Sequence, residues 1–268
     1  VSTARHVARA LPTMLRVSFA EVLAYRAEIV VWMLAYTMPL IMLALWTAVA
    51  RDAPVGRFDQ RGFQAYFLMS LIVRFCTSAW VVWEMNFEVR QGTLQRRLLR
   101  PIHPLIGYAC EQAAALPLRF VLMVPILIAT LSWLGTSIVT RDPVQLALVL
   151  PSIAGAWCLM FLTMALIGTL SLWWESSIAA WEVWIGLYMV FSGYVMPIEL
   201  FPGWLRAALD VLPFRYMLSS PVENILGLCS RGDSLRAVAI QWLMAALLAL
   251  ALRRAWARGV KRFQAFGG

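Results

Sequence analysis

The chain has 268 residues, 62% of them hydrophobic and 14% charged, with a formal net charge of +9. Water-soluble domains run about 45–50% apolar and about 25% charged, so this composition excludes an ordinary soluble domain and points to an integral membrane protein. The 23 Lys and Arg against 14 Asp and Glu would suggest nucleic acid in a soluble protein, but here the cations sit at the ends of apolar spans, the mark of membrane topology, and no nucleic-acid partner is expected.

In chain order, Thr13–Glu28 reads as an amphipathic helix. Leu15, Phe19, Val22 and Leu23 recur at helical spacing, with Arg16, Arg26 and Glu28 off that stripe. Such a helix lies in the membrane interface or extends the first span. Leu11–Val17 is too short, and too broken by Pro12 and Arg16, for the apolar region of a signal peptide, so none is expected. Transmembrane helices need about 20 mostly apolar residues each. Six stretches qualify: 29–50, kinked at Pro39, then 63–83, 116–134, 144–172, 178–195 and 235–252. Residues 106–115 are helical in pattern but less apolar. The fold class expected is an all-α polytopic membrane protein, a single transmembrane domain over residues 1–268.

Between the fifth and sixth spans, residues 196–234 hold Pro197, Pro202, Pro213 and Pro221 yet stay rich in Leu, Phe and Trp. Trp204, Leu205, Ala208, Leu209 and Leu212 share one helical face. The segment is too apolar for a free loop and too broken for a span. Irregular backbone at membrane depth survives only where protein or a water cavity covers it, so short re-entrant helices are expected.

Six spans put both termini on one side. That side and its internal turn carry thirteen Lys and Arg, the opposite loops eight. The termini and the turn after the second span are therefore expected in the cytoplasm.

That turn, EVRQGTLQRRLLRPIHP from Glu88 to Pro104, is polar and basic between two apolar segments. A helix over Glu88–Arg100 is expected, with Glu88 toward its N-terminus and Arg96, Arg97 and Arg100 toward its C-terminus, matching the helix dipole. Leu94, Leu98 and Leu99 give an apolar edge for a partner groove, Gly92 permits a turn or close approach, and Pro101 ends the helix. The turn reads as a docking element for a separate cytoplasmic subunit.

Chemistry is sparse. No Walker A sequence occurs, and the one lysine, Lys261, sits near the C-terminus, so this chain has no P-loop of its own. Cys76, Cys110, Cys158 and Cys229 lie far apart with no C-x-x-C, which suggests neither zinc nor redox chemistry. His6 and His103 read as plain loop histidines without a nucleophile or metal partner. No catalytic or metal-binding residue and no bound cofactor is assigned, and the chain is not read as an enzyme. Arg74 lies midway along the second span, where a charge costs roughly 2.5–3.5 kcal/mol. It must face the bundle interior or a wet cavity. Glu182 in the fifth span could pair with it, and the two read equally as a pathway or as a packing ion pair. Glu111 and Arg119, flanking the inner end of the third span, are expected to snorkel to the interface.

Three stretches together resemble the permease subunits of type-2 ABC exporters, in a compact six-span branch. They are LAYRAEIVVWML (Leu23–Leu34), VVWEMNFEVRQGTLQRRLLRPIHPL (Val81–Leu105) and FSGYVMPIELFPGWLRAALDVLPFRYMLSSPVENILG (Phe191–Gly227). With the intervening spans they cover nearly the whole chain. The resemblance implies two ABC ATPase subunits holding ATP and Mg, and a second permease, related but different. It implies that Glu88–Arg100 is a coupling helix seated in the ATPase, with the first amphipathic helix resting there too. It implies that the hairpin after Gly193 caps the path as an outer gate. The expected location is a bacterial cytoplasmic membrane, and the expected cargo an amphipathic or lipid-like substrate moved outward. An ATP-independent secondary transporter or channel is the alternative; it would favour inverted repeats with matching broken helices, and only one broken hairpin is present.

Overall fold

The computed structural model describes residues 2–25, 27, 31, 37–174 and 176–263, with side chains from residue 8 onward. Among these residues the secondary structure is helical, with no β-strand. The helices are α1 (Ser2–Ala24), α2 (Met38–Val49), α3 (Gln60–Cys76), α4 (Val81–Arg90), α5 (Leu94–Leu98), α6 (Pro104–Ala114) and α7 (Leu116–Leu134), then α8 (Pro143–Gly168), α9 (Ile178–Phe191), α10 (Gly203–Leu209), α11 (Pro213–Met217), α12 (Ser219–Ile225) and α13 (Arg231–Gly259).

Local chemistry sets where several of these begin. Asp59 Oδ1 accepts from the Gly62 amide at 2.7 Å ahead of α3, Asp142 Oδ1 from Val144 at 2.9 Å ahead of α8, and Ser230 Oγ from Asp233 at 3.2 Å ahead of α13. Each side chain satisfies an amide that the first turn leaves without a partner. Arg231 also pairs with Asp142, which fastens the start of α13 to the start of α8. That guanidinium holds the Asp142 carboxyl below the usual carboxylate range.

Four stretches are long and apolar enough to cross a membrane: Gln60–Arg90, Pro104–Leu134, Pro143–Leu172 and Arg231–Gly259. Two shorter apolar helices, Met38–Val49 and Ile178–Phe191, accompany them. Burial separates centre from rim. The most apolar window of Gln60–Arg90 is 94% buried, that of Arg231–Gly259 only 17%. Hence α3 is the axis, touching α2, α7, α8 and α12, while α13 lies along α8 at the periphery. The rim leaves Val121, Val124, Ile128 and Trp133 of α7 and Leu243, Leu247 and Leu250 of α13 exposed. Apolar faces of that extent call for lipid or another apolar surface.

Several expectations are corrected. The second span is not one helix. It breaks at Thr77–Trp80, and the freed backbone groups are taken up locally. Ser78 Oγ donates to the Phe75 carbonyl (3.0 Å) and the Trp80 amide to Gln112 Oε1 (2.8 Å), while Thr77 Oγ1 (2.9 Å) joins the Thr77 amide on the Val73 carbonyl. Arg119 donates to the Ser78 carbonyl and is buried, so it serves the break rather than snorkelling outward. Pro39 opens α2 instead of kinking a long helix, since proline fits a first turn, which needs no amide there. The start of that expected span (29–30 and 32–36) and Glu28 lie outside the described residues. Helix α1 begins before Thr13 and runs through Pro12, which is exposed. His6 is therefore in a helix, not a loop. Leu15, Phe19 and Val22 are half-buried and Leu23 is exposed, and α1 packs on α6. Helix α9, the fifth expected span, ends at Phe191, short of Val195.

The proline-rich segment is covered only in its second half. Phe214, Tyr216, Met217, Ser219, Pro221 and Val222 of α11 and α12 are buried, against α8 and α3. Of the expected α10 face only Leu209 is fully buried, and Trp204 is 75% exposed, so this helix lies on the surface. Gln241 of α13 joins these parts. Its amide donates to the carbonyls of Ser152 (3.0 Å) and Tyr216 (2.7 Å). Gln241→Leu keeps the volume but removes both hydrogen bonds, and unfolding monitored by tryptophan fluorescence in detergent is expected to show a loss of roughly 1–3 kcal/mol.

Candidate functional site

The turn after the second span is built differently from a single coupling helix. Glu88 belongs to the last turn of α4, the continuation of the span. Gln91–Thr93 then reverse the chain, with Gly92 at φ +68°, a conformation that strains any residue with a Cβ. The five-residue α5 follows. The expected helix over 88–100 is thus two helices joined at Gly92, and the dipole matching expected of one helix does not operate.

The reversal folds α5 back so that Arg97 enters a cage of carboxylates. Glu84 and Glu88, four residues apart, lie on one face of α4, and Tyr108, Glu111 and Gln112 on one face of α6. Arg97 Nε donates to both Glu88 oxygens at 2.8 Å, Nη2 to Glu84 at 2.7 Å, and Nη1 and Nη2 to the two Glu111 oxygens at 2.7 and 2.9 Å. The guanidinium carbon stands 4.1 Å from the centre of the Tyr108 ring, and Tyr108 Oη donates to Glu88 at 2.7 Å. Only 12% of the Arg97 side chain is exposed. Burial alone would weaken its hold on the proton; hydrogen bonds to Glu111 and Glu88 more than reverse this, and the guanidinium stays charged. One planar cation with a fork of donors can bridge three carboxylates from two helices, a task lysine's point charge fits poorly.

The residues singled out in this turn therefore divide. Arg97 and the fully buried Leu94 point inward, Leu98 is half-buried, and Glu88 ties into the cage. Arg96, Leu99 (87% exposed) and Arg100 face outward, beside Gln95. Glu111, expected to snorkel, is a cage member instead. His103 caps α6, its Nδ1 accepting from Leu105 at 3.2 Å, and its ring lies 5.8 Å from that of Trp256 on α13. Burial, then the neighbouring Arg253, keep this imidazole below its usual pKa and so neutral, as an accepting Nδ1 requires.

Arg74 is buried in the bundle, its guanidinium 5.3 Å from the centre of the Tyr188 ring, whereas Glu182 is exposed on α9. Trp181, Trp184 and Tyr188 form a stacked row along that helix at 5.0 and 5.4 Å.

At the opposite end, Gly193 turns the chain after α9 with φ +91°. Tyr66 Oη of α3 donates to its carbonyl at 3.0 Å and lies 3.3 Å from Ser219 Oγ, and the Ser219 amide bonds the Ser192 carbonyl at 3.1 Å. Ser219 Oγ donates onward to Glu223 (2.7 Å), and Glu223 pairs with Arg215 (2.9 Å), which also holds Asp210. Pro197 directly precedes a 3-10 turn and Pro202 precedes α10, while Pro213 and Pro221 lie in the first turns of α11 and α12. These are places where a missing amide costs nothing. None of this network was singled out beforehand except Gly193 and the prolines. Tyr66 is one aromatic among many in the sequence, with no local signal. Glu84 did leave one, its spacing of four from Glu88.

The described residues hold no cluster of His, Cys, Asp and Glu suited to a metal ion. A family model described as "ABC-2 family transporter protein" matches residues 58–267. The match takes in α3 to α13, and so the arginine cage and the Gly193 network, and leaves α1 and α2 outside. No curated protein and no solved structure matches the chain.

Proposed function

The chain belongs to the ABC-2 family of transporter proteins, membrane-spanning permeases that associate with an ABC ATPase, and from that membership we propose that it is the permease half of an ATP-driven exporter. In this reading the four long apolar stretches and the two shorter helices, α2 and α9, make six spans of one domain over residues 1–268, in a bacterial cytoplasmic membrane with both termini inside. Two ATPase subunits carry the ATP and Mg, this chain supplies no hydrolytic site, and a related second permease completes the assembly. An amphipathic or lipid-like substrate leaves outward, past Arg74 and the aromatic row of α9, under an outer gate formed by the Gly193 turn and the proline-bounded short helices.

The observation that carries this reading is the two-sidedness of α5. Its outer side offers Arg96, Leu99 and Arg100, a small basic and apolar ridge of the kind a partner groove takes. Its inner side is fixed by Arg97 to α4 and α6, the inner ends of two spans. A push on the ridge is thus delivered to both spans. Transport follows only if the nucleotide-bound ATPase binds one arrangement more tightly than the other.

The test reverses the ridge and spares the cage. Arg96→Glu with Arg100→Glu is expected to reduce at least about tenfold the Mg-ATPase activity that co-purifies with the permease from native membranes, a loss of roughly 1.4 kcal/mol in association. Co-purification at the unaltered level overturns the docking role. The chain purified alone is expected to hydrolyse no ATP, and sustained hydrolysis by it would refute the division of labour.

A further inference from the structure

At the same end of the bundle as the arginine cage, the turn that closes α8 and the last turns of α13 leave a groove of about 920 Å³. Arg258 of α13 and Lys261 and Arg262 just past its end line it together with Trp173 and Trp174 of the turn after α8, and Leu166, Leu170 and Ala255 complete the lining. All three cations are exposed, and among the described residues none of them makes an ion pair. The walls are held in place. A Cβ on Gly259 would stand 2.6 Å from Leu172 and 2.9 Å from Trp173, so α13 closes onto that turn as tightly as a glycine allows.

We propose that this groove binds the phosphate headgroup of an anionic phospholipid. The layering favours that occupant. The three cations and Trp174 are exposed, Trp173 is half-buried, and the half-buried Leu166 and Leu170 belong to the apolar stretch that α8 begins. This is the order headgroup, interface and acyl chain present at a bilayer surface. A basic pocket between membrane helices is suited to an anionic headgroup, each nearby Lys or Arg contributing about a fivefold gain in affinity. An acidic protein surface would use the cations but leave the indoles and the leucine walls without a counterpart. The inference rests on the membrane orientation proposed above only in placing the groove at a bilayer surface; it does not depend on the docking ridge of α5.

The full chain, stripped of lipid in a neutral detergent, is titrated with dioleoyl phosphatidylglycerol, dioleoyl phosphatidylcholine or inorganic phosphate, and bound lipid is counted by native mass spectrometry. Phosphatidylglycerol is expected to bind, phosphatidylcholine to bind far more weakly, and equimolar inorganic phosphate not to displace the lipid. Arg258→Gln, Lys261→Gln and Arg262→Gln together are expected to weaken phosphatidylglycerol binding about a hundredfold, and Arg262→Gln alone about fivefold. Arg258→Lys with Arg262→Lys keeps the charge and is expected to keep the binding within about threefold of the parent. Equal binding by the parent and the glutamine variants, equal retention of the two lipids, or displacement by inorganic phosphate each overturns the proposal. So does loss of the co-purifying ATPase in the triple variant with lipid binding unchanged, which would make the groove a protein seat. Failure of the Arg96 and Arg100 test alone leaves these lipid readings intact.

Discussion

Arg97→Met is expected to be among the most damaging single substitutions in the chain, destabilising it by about 3–5 kcal/mol and lowering the apparent unfolding midpoint in detergent by roughly 10 °C. Methionine fills much of the volume and removes only the charge and the fork of donors. What remains is Glu84, Glu88 and Glu111 facing one another with no cation between them. The loss is therefore the desolvation and mutual repulsion of the acidic groups left without their cation, more than the removal of any one contact. This dictates the control. Glu88→Gln and Glu111→Gln added to Arg97→Met remove two of the stranded charges, and at least about half of the lost stability is expected to return. If the triple variant is no more stable than Arg97→Met alone, the cage is not electrostatic and the argument fails. Arg97→Lys is expected to fall between the parent and the methionine variant, because an ammonium cannot reach Glu84, Glu88 and Glu111 in the plane the guanidinium occupies.

The same substitution separates two roles that the sequence runs together. Arg96, Arg97 and Arg100 are three arginines within five positions, flanked by the same leucines, and all three read as docking residues. Nothing local distinguishes them. What does is the reversal at Gly92, which turns Arg97 and Leu94 inward and leaves Arg96, Leu99 and Arg100 outside. A reversal was among the uses open to a glycine there; that the chain takes it decided the faces. The cage itself was half legible: Glu84 and Glu88 at a spacing of four, and Tyr108, Glu111 and Gln112 on one face, each make a polar stripe at the end of a span. Their convergence is a tertiary fact. The apolar periodicity that located the apolar stretches had no means of seeing the break at Thr77–Trp80, because no glycine or proline marks it; Gln112 of α6 and Arg119 of α7 keep it satisfied. The proline-rich segment was legible for the opposite reason. Proline constrains its own backbone, so Pro202, Pro213 and Pro221 announced short helices wherever the chain was going.

The turn at Gly193 carries the second large effect. Gly193→Ala is expected to destabilise the chain by roughly 3 kcal/mol, from two separable sources. A φ of +91° is open to glycine and costs alanine about 1–2 kcal/mol. The new methyl would also run into Tyr66 Oη and come within 2.9 Å of Ser219 Cβ, in a buried site where overpacking costs about 1–3 kcal/mol. Tyr66→Phe alone forfeits the hydrogen bond to the Gly193 carbonyl, about 1–2 kcal/mol. Because the hydroxyl is what the methyl strikes first, the double variant is expected to lose about 1–2 kcal/mol less than the sum of the singles. Additivity within about 0.5 kcal/mol would mean that Gly193 is required for its backbone angle alone. The distinction bears on transport. If tyrosine and glycine share one space, α3 and the turn after α9 separate or close as a unit, and the Gly193→Ala complex, once assembled, is expected to hydrolyse ATP at a rate that Tyr66→Phe partly restores. An ATPase rate in the Gly193→Ala complex equal to that of the parent would detach this turn from the ATP-driven motion proposed above.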